Sequence, residues 1–243
     1  DHIYHMDFDR MIQVHREKQA DLTVAMMVVP KEIIHQFGAG ITNDNDQIIE
    51  WEEKPKVPRT NLASMGIYVF NTQYMLDLLA KDRNETDFGM HLIPKAIERD
   101  KVFAYPFTGY WRDVGTIQAY WEANMDLLRP DSGISPQDWG IRPNTETFGL
   151  LSDRGPARFT KGSKVKGSMI SAGCVIEGTV TNSVLSPGVM VKKGATVTDS
   201  VIADDCVIEE NATIDLSVLD KKVLVDSNAV VGAGDKSQPN KLY

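Results

Sequence analysis

Cysteine, basic charge and long apolar runs are all scarce in this sequence of 243 residues. Its two cysteines are too few for a disulfide framework or a zinc site. No apolar run approaches the roughly 18 residues that a membrane helix needs, and no signal peptide is visible. Lysine and arginine number 26 against 34 aspartates and glutamates, so no basic surplus exists to bind nucleic acid or an acidic membrane. We therefore expect a cytoplasmic protein without nucleic-acid or membrane partners.

An initiator methionine is also missing, and the chain opens on Asp1-His2-Ile3-Tyr4 as though inside a secondary-structure element. We interpret the sequence as a piece of a longer protein. A chain of this length can hold one large domain or two ordinary ones.

The C-terminal third contains an internal repeat, which indicates the fold of that region. The triplet Ser-Val-Leu at 183–185 recurs in similar form at 200–202 and 217–219, each time 17 residues later. Further branched aliphatic residues follow the third residue of each triplet at six and twelve positions: Val191 and Val197, Ile208 and Ile214, Val225 and Val231. Ile170 and Ile176 lead a shorter coil before them. The spacing predicts a β-helix of stacked three-strand coils over about 168–232, because a single coil cannot bury its aliphatic residues.

Cys174, Val189, Cys206 and Val223 fall in one column of this repeat, four residues after the leading aliphatic residue of each coil. Coils stacked about 4.8 Å apart would separate the two cysteines by about 9–10 Å. A disulfide cannot span that distance. We predict two buried, free cysteines that pack as small apolar side chains.

Histidine is absent from the repeat, which bears on its function. Many hexapeptide β-helices are acyltransferases that rely on a histidine as general base. All five histidines precede the repeat: His2, His5, His15, His35 and His91. The repeat is therefore predicted to be a scaffold or assembly surface, and an acyltransferase is disfavoured.

The first half alternates helical and extended patterns, which is typical of an α/β sheet with covering helices. Residues 22–29 read as a continuous apolar strand from the interior of a sheet, and 116–128 as a helix with Thr116 as its N-cap. Residues 129–156 are rich in Pro, Gly, Ser and Asp, which indicates a loop or linker. We predict a first domain over 1–130, a linker over 131–163 and a β-helix domain over 164–243.

Four stretches concentrate polar residues and glycine at predicted strand ends, where α/β sheets bind ligands. They are Asp1-His2-Ile3-Tyr4, Glu52-Glu53-Lys54-Pro55, 63–70 (ASMGIYVF) and 111–116 (WRDVGT). In this order, and followed by a hexapeptide β-helix, they resemble the sugar-1-phosphate nucleotidyltransferases, and within them the glucose-1-phosphate adenylyltransferases. The likeness is nearly continuous from residue 1 to about residue 128 and looser through the repeat.

This resemblance implies a partial Rossmann-like nucleotidyltransferase domain of the α/β class, followed by a left-handed parallel β-helix. It also implies that the family's glycine-rich loop, which cradles the nucleotide triphosphate, belongs before Asp1. This stretch alone is then not expected to catalyse the reaction. Family members are typically homotetramers controlled by metabolites, and the resemblance implies the same assembly here.

The resemblance also implies a reaction and its residues. A phosphate oxygen of glucose 1-phosphate attacks the α-phosphorus of ATP, and pyrophosphate leaves. Two anionic reactants need Mg²⁺ and basic groups to offset their repulsion. Asp1 and Asp113 are the implied catalytic and metal-holding carboxylates, and Lys54 would contact the sugar phosphate. The other implied substrate-binding residues are Glu53, Ser64, Gly66 and Gly38.

Simpler interpretations compete for two of these residues, and geometry limits a third. Asp113 could cap the helix that begins near Thr116, and Lys54 could be an ordinary exposed turn lysine. Glu52 and Glu53 are adjacent on a strand and face opposite ways, so at most one of them points into a site.

One departure from the family pattern keeps two alternatives open. The family commonly carries Lys and an acidic residue after Asp-Phe-Gly, where this chain has Met90 and His91. A weakly catalytic regulatory subunit is therefore one alternative. The other is a nucleotidyltransferase for a different base or sugar, because nucleotide choice is read mostly before Asp1.

Overall fold

The structure is a computed structural model that describes residues 1–81, 87–140 and 154–232. The chain divides into two compact units, Met6–Gly109 in one and Asp1–His5 with Tyr110–Tyr243 in the other. Among the described residues, no helix has the length and apolar character required to cross a membrane.

The first 129 residues contain seven strands and four α-helices within the described ranges. In chain order the elements are β1 (His2–Tyr4), α1 (Phe8–Glu17), β2 (Leu22–Val28), a 3₁₀ turn (Ile34–Gln36), β3 (Gly38–Thr42), β4 (Ile48–Glu53), β5 (Leu62–Phe70), α2 (Thr72–Lys81), a π-helical turn (Phe88–Leu92), α3 (Ile93–Ile97), β6 (Val102–Pro106), β7 (Trp111–Asp113) and α4 (Ile117–Asp126).

Strands β2 to β6 form one mixed sheet in the order β4-β3-β5-β2-β6. Strand β2 lies between β5, to which it is antiparallel, and β6, to which it is parallel. Leu22, Val24 and Met26 on β2 are fully buried and pack against Ile93 of α3. Burying each such side chain contributes about 1.5–3 kcal/mol. The predicted apolar strand is confirmed, and it is the centre of this unit's core.

Strands β1 and β7 form a separate antiparallel ribbon that pairs His2 with Asp113 and Tyr4 with Trp111. Helix α4 follows this ribbon. The hydroxyl of Thr116 accepts a hydrogen bond from the backbone N–H of Ala119 at 3.1 Å, so the predicted N-cap is confirmed.

The strands of the described C-terminal region are two or three residues long and stack in three parallel sheets. They are β8 (Arg158–Phe159), β9 (Lys164–Lys166), β10 (Met169–Ile170), β11 (Val175–Ile176), β12 (Thr179–Thr181), β13 (Val184–Leu185), β14 (Met190–Val191), β15 (Thr196–Thr198), β16 (Val201–Ile202), β17 (Val207–Ile208), β18 (Thr213–Asp215), β19 (Val218–Leu219), β20 (Leu224–Val225) and β21 (Val230–Val231).

Register confirms the predicted repeat. Val184 pairs with Val201, and Val201 with Val218, which is a 17-residue step. Met169 pairs with Val184 across the shorter first step. The inward aliphatic residues form one core, including Ile176, Val191, Ile208 and Ile214, all fully buried.

The structure explains why each triplet begins with serine. Ser183, Ser200 and Ser217 are fully buried at the corners of the coils. The Ser200 N–H donates to Ser183 Oγ and the Ser217 N–H to Ser200 Oγ, both at 3.1 Å. Each hydroxyl donates in turn to the carbonyl two residues earlier. A buried ladder of hydrogen bonds therefore fixes the register between coils.

Both cysteines are free and buried, as predicted. The Cys174 thiol donates to the Ser186 carbonyl at 3.2 Å and the Cys206 thiol to the Asp220 carbonyl at 3.0 Å. Burial raises the pKa of both thiols, which disfavours the reactive thiolate.

The predicted start of the β-helix, residue 168, is wrong. Strand β8 already pairs Arg158 with Val175, so the coils begin no later than residue 158. This first coil lacks the Ser-aliphatic-aliphatic triplet and is exposed and lysine-rich, which hides it from a search for repeated apolar residues. The limits of the two domains and of the linker stay a prediction.

Candidate active site

Strand β4 presents different chemistry on its two faces because successive side chains alternate. Arg59 binds Glu52 on one face, with Nε 3.2 Å from Oε1, and also binds Glu50. Trp51 and Glu53 lie on the other face. The prediction that Glu52 and Glu53 point opposite ways is confirmed, and Glu53 is the candidate whose face is not occupied by Arg59.

The Glu53 carboxylate lies directly against the backbone at two glycines. A β-carbon at Gly89 would stand 2.2 Å from Glu53 Oε2, and one at Gly38 would stand 2.8 Å from the same oxygen. The Trp51 ring covers Gly38, and its Nε1 donates to the Gly89 carbonyl at 3.0 Å. Any larger side chain at either glycine would displace the carboxylate. Glu53 and Gly38, predicted from the sequence, therefore meet in one place.

Electrostatics link Glu53 to further residues of the same unit. Burial, together with the negative charge of Asp87, raises the pKa of Glu53, and Lys54 and the Trp51 N–H only partly offset this. Burial also raises the pKa of Tyr68, whose hydroxyl is bonded to the Ser64 side chain and feels the charge of Glu53. The charged form of a partly buried carboxylate with a raised pKa is stabilised when it accepts a hydrogen bond from a neutral donor such as a sugar hydroxyl.

Ser64 and Gly66 lie at an irregularity of the sheet. The register of β2 against β5 shifts between Val24 and Met26, opposite Tyr68 and Ser64. Gly66, at this bulge, has φ +68, a conformation that favours glycine. Its N–H donates to the Ser64 hydroxyl at 3.2 Å. The bulge explains the glycine; its contact with a sugar stays a prediction.

Lys54 follows β4 in a left-handed turn with φ +47. Its backbone N–H donates to the Phe37 carbonyl at 3.1 Å, and the residue is exposed. The same left-handed conformation recurs at turns of the β-helix, as at Leu216 with φ +47 and Lys222 with φ +60, so by itself it does not mark a functional site. Both the phosphate-binding and the turn interpretation of Lys54 fit this geometry.

The backbone of Asp1, directly before β1, lies beside Asp113 of β7. The Val114 N–H donates to the Asp1 carbonyl at 2.8 Å, and the Asp1 nitrogen lies 3.9 Å from Asp113 Oδ1. Asp113 Oδ1 accepts from the Gly115 N–H at 2.9 Å, and His2 Nε2 lies 3.9 Å away. The Asp113 carboxylate makes no helix cap, since Thr116 holds that position. The capping interpretation of Asp113 is therefore wrong.

The carboxylates of Asp1 and Asp113 suit Mg²⁺ better than a metal that needs a full protein cage. Within the described ranges, no group of three or more His, Cys, Asp or Glu side chains could hold a metal ion. Mg²⁺ keeps several waters and is bound through one or two carboxylates plus substrate phosphates. The Asp113 carboxylate on β7 is one hard-oxygen donor of this kind; that Asp1 supplies a second stays a prediction.

Sequence reasoning did not single out Trp51, Tyr68, Asp87 or Gly89 as site residues. Trp51 could have been found from the alternation of β4, which places it on the face of Glu53. Asp87 accepts from the Met90 N–H at 2.7 Å and so begins the turn that carries Gly89. Met90 itself is 58% exposed, so its departure from the family pattern leaves this turn intact.

Comparison with known proteins places this geometry in a class. Residues 1–129 match the model of the nucleotidyl transferase family, and 155–243 match the model described as GlmU-like, C-terminal hexapeptide. The chain belongs to the nucleotidyl transferase family. The hexapeptide match also supports the predicted left-handed parallel β-helix after the α/β domain.

Several curated relatives carry the same name. The chain is 46% identical over 200 residues to the glucose-1-phosphate adenylyltransferase of Fusobacterium nucleatum, which covers 80% of this chain and 51% of the relative. It is 43% identical over 201 residues to that of Thermosipho africanus, covering 80% and 47%. It is 44% identical over 202 residues to that of Desulforamulus reducens, which covers 80% of this chain and 49% of the relative. The chain thus spans about half the length of the relatives it matches.

Proposed function

We propose that this chain is the part of a glucose-1-phosphate adenylyltransferase that binds the sugar phosphate and the metal. The observation that carries the proposal is the Glu53 carboxylate held against Gly38 and Gly89. A carboxylate kept partly buried against bare backbone, with a raised pKa, is adapted to accept hydrogen bonds from a polyol. The name shared by the relatives supplies the substrate class.

In the proposed reaction the sugar-binding residues position the substrate and do not transfer protons. Glu53 accepts hydrogen bonds from sugar hydroxyls, and the Ser64 hydroxyl can both donate to them and accept from them. The bulge at Gly66 brings the backbone close to the sugar ring. Lys54, exposed next to Glu53, contributes positive charge to the phosphate of glucose 1-phosphate. Holding this phosphate in one orientation favours in-line attack of its oxygen on the α-phosphorus of ATP, with pyrophosphate leaving.

Asp1 and Asp113 would hold Mg²⁺ in this proposal. The ion, when bound, offsets the charge of the two phosphorylated reactants and stabilises the charge that develops on transfer. The Gly115 N–H and the paired strand β1 fix the Asp113 carboxylate. The assembly we propose is the homotetrameric, metabolite-controlled cytoplasmic enzyme of glycogen-type synthesis that the family resemblance implies.

The alternatives are separable by turnover. The gene product that carries this chain is incubated with glucose 1-phosphate, Mg²⁺ and ATP, UTP, GTP or dTTP in turn, and pyrophosphate release is measured. We expect release with ATP to exceed release with the others by at least tenfold. Preference for another nucleotide would overturn the adenylyltransferase assignment. Binding of glucose 1-phosphate without release from any nucleotide would identify the regulatory subunit that Met90 and His91 keep open.

A further inference from the structure

The β1–β7 ribbon carries Asp113, and Asp1 directly precedes β1, although the ribbon has two strands in the described part of the chain. A two-stranded ribbon is at best marginally stable by itself, so neighbouring groups must fix its geometry. Arg112 lies on β7 next to Asp113, and alternation directs the two side chains to opposite faces. Arg112 is therefore in a position to anchor the ribbon without occupying the face of Asp113.

All three side-chain nitrogens of Arg112 have partners. Nη1 lies 2.5 Å from Glu122 Oε2 and Nη2 lies 2.8 Å from Asp126 Oδ2, both on helix α4. Nε donates to the Tyr110 hydroxyl at 3.2 Å. A planar guanidinium bound in three directions fixes orientation as well as distance, which a lysine could not do.

Asp126 is the buried centre of this group, with 4% exposure. Its Oδ2 also accepts from the Tyr110 hydroxyl at 2.8 Å, and its Oδ1 accepts from Arg129 Nη2 at 2.5 Å. Burial and the bond to Asp126 raise the pKa of Tyr110 to about 12, so its hydroxyl stays a donor. A buried carboxylate is costly unless every oxygen is bonded, and its net contribution to stability is small or negative. What such a group does supply is a fixed direction.

The other side of α4 is anchored as well. Trp121 Nε1 donates to the Asp199 carbonyl at 2.8 Å, and Met125 packs against Val184 and Val201 of the β-helix. Helix α4 is thus fixed on the β-helix and carries Asp126 at its end. This gives Arg112 a rigid support.

We infer that Asp126 and Arg112 are positioning residues that hold the Asp113 carboxylate in the orientation needed for the metal. The inference rests on the proposed function, because it assumes that Asp113 binds a divalent ion. Loss of Asp126 should leave the strands paired but free Arg112 to rotate. Strand β7 then loses its support from α4, and the orientation of the Asp113 carboxylate, together with its bond to the Gly115 N–H, is less restricted. The proposed sugar-binding residues do not belong to this group of side chains.

Arg129 offers a matched control, since Arg129→Gln removes a partner of the same Asp126 carboxylate without touching β7. We compare Asp126→Asn, Arg112→Gln and Arg129→Gln in the gene product that carries this chain. Asp126→Asn and Arg112→Gln should each raise the Mg²⁺ concentration for half-maximal turnover about 10–100-fold. The KM for glucose 1-phosphate should change less than twofold, and Arg129→Gln should resemble the unaltered protein in both. Because the two residues act as one unit, the double variant should be no worse than either single variant.

Binding of Mn²⁺ followed by electron paramagnetic resonance gives a readout without turnover, and should weaken about tenfold in Asp126→Asn but not in Arg129→Gln. If Asp126→Asn fails to fold, Tyr110→Phe removes one donor to Asp126 and should shift the same two measurements by a smaller factor. Equal metal dependence in Asp126→Asn and Arg129→Gln, with Asp113→Asn inactive, would overturn this inference alone. Unchanged metal dependence in Asp113→Asn would overturn the proposed metal site and this inference with it.

Discussion

The β-helix and the nucleotidyl transferase region use their sequences in opposite ways. In the β-helix the same contacts recur coil after coil: Ser183, Ser200 and Ser217 make the same hydrogen bonds. In the region over 1–129 the residues of interest occur once each. Glu53 ends strand β4, and Gly66 lies at a bulge of β5. Repetition therefore marks the scaffold, and residues that occur once carry the candidate chemistry.

The largest effect that this comparison predicts falls on a unique residue. Asp113→Asn should lower turnover of the gene product that carries this chain by roughly 10²–10³-fold, because the metal loses a charged ligand where charge develops. The melting temperature should hardly change, because the amide oxygen of the asparagine can still accept the hydrogen bond from the Gly115 N–H. Steady-state kinetics and calorimetry test both parts.

Asp44→Asn, in an exposed turn, is the control for Asp113→Asn and should be neutral. A turnover within a factor of two of the unaltered protein for Asp113→Asn would show that this aspartate has only a local structural role.

A position between two stacked coils should show the reverse pattern, a loss of stability. A β-carbon at Gly178 would lie 2.3 Å from the Ala195 carbonyl oxygen, a backbone atom of the next coil that cannot rotate away. Gly178→Ala should therefore reduce the free energy of unfolding by about 1–3 kcal/mol. At Gly155 nothing lies within 4 Å of the added carbon, so Gly155→Ala should have almost no effect. Urea unfolding of the two variants tests this difference. Equal midpoints would contradict the close contact between Gly178 and the Ala195 carbonyl.

A smaller effect, dependent on pH, is expected at Glu53. Its pKa is raised above the ordinary value of 4.5, chiefly by burial, so the folded state binds the proton more tightly than the unfolded state. This group's contribution to stability is then greatest below about pH 4 and declines as pH rises above 4.5. Glu53→Gln removes this pH-dependent loss of stability, because glutamine does not ionise. The variant should match the unaltered protein near pH 4 and melt at a higher temperature at pH 7.

Melting curves at several pH values provide the test for Glu53. A Glu53→Gln variant that is less stable at pH 7 than the unaltered protein would show that its carboxylate is stabilised, not strained, in the fold.

Much of the scaffold could be predicted because its signals are local and repeated. The 17-residue step places Val184, Val201 and Val218 in one column, and the pairing of the strands agrees. The continuous apolar run at β2 predicts a buried strand for the same reason. The first coil was missed because Arg158 and its neighbours carry no repeated aliphatic signal. Strand β3 was not predicted either, since Gly38 and Gly40 disfavour a strand unless packing requires them.

The candidate site was only partly predictable. Family resemblance supplied Glu53, Lys54 and Asp113, but Gly89 reaches Glu53 from a separate turn, 36 positions further along the chain. No periodicity links residues brought together by tertiary folding. Likewise, nothing local in the sequence says that Asp126 binds Arg112.

Binding of glucose 1-phosphate to this chain tests the central claim most directly, with isothermal titration calorimetry comparing the unaltered chain, Gly89→Ala and Gly155→Ala. A β-carbon at Gly89 would overlap Glu53 Oε2 at 2.2 Å and must displace the carboxylate. We predict that the unaltered chain and Gly155→Ala bind equally well, and that Gly89→Ala binds at least about tenfold more weakly, as expected for the loss of a hydrogen bond to a charged group. Equal affinity in all three variants, or no binding to the unaltered chain, would contradict a sugar-phosphate site at Glu53.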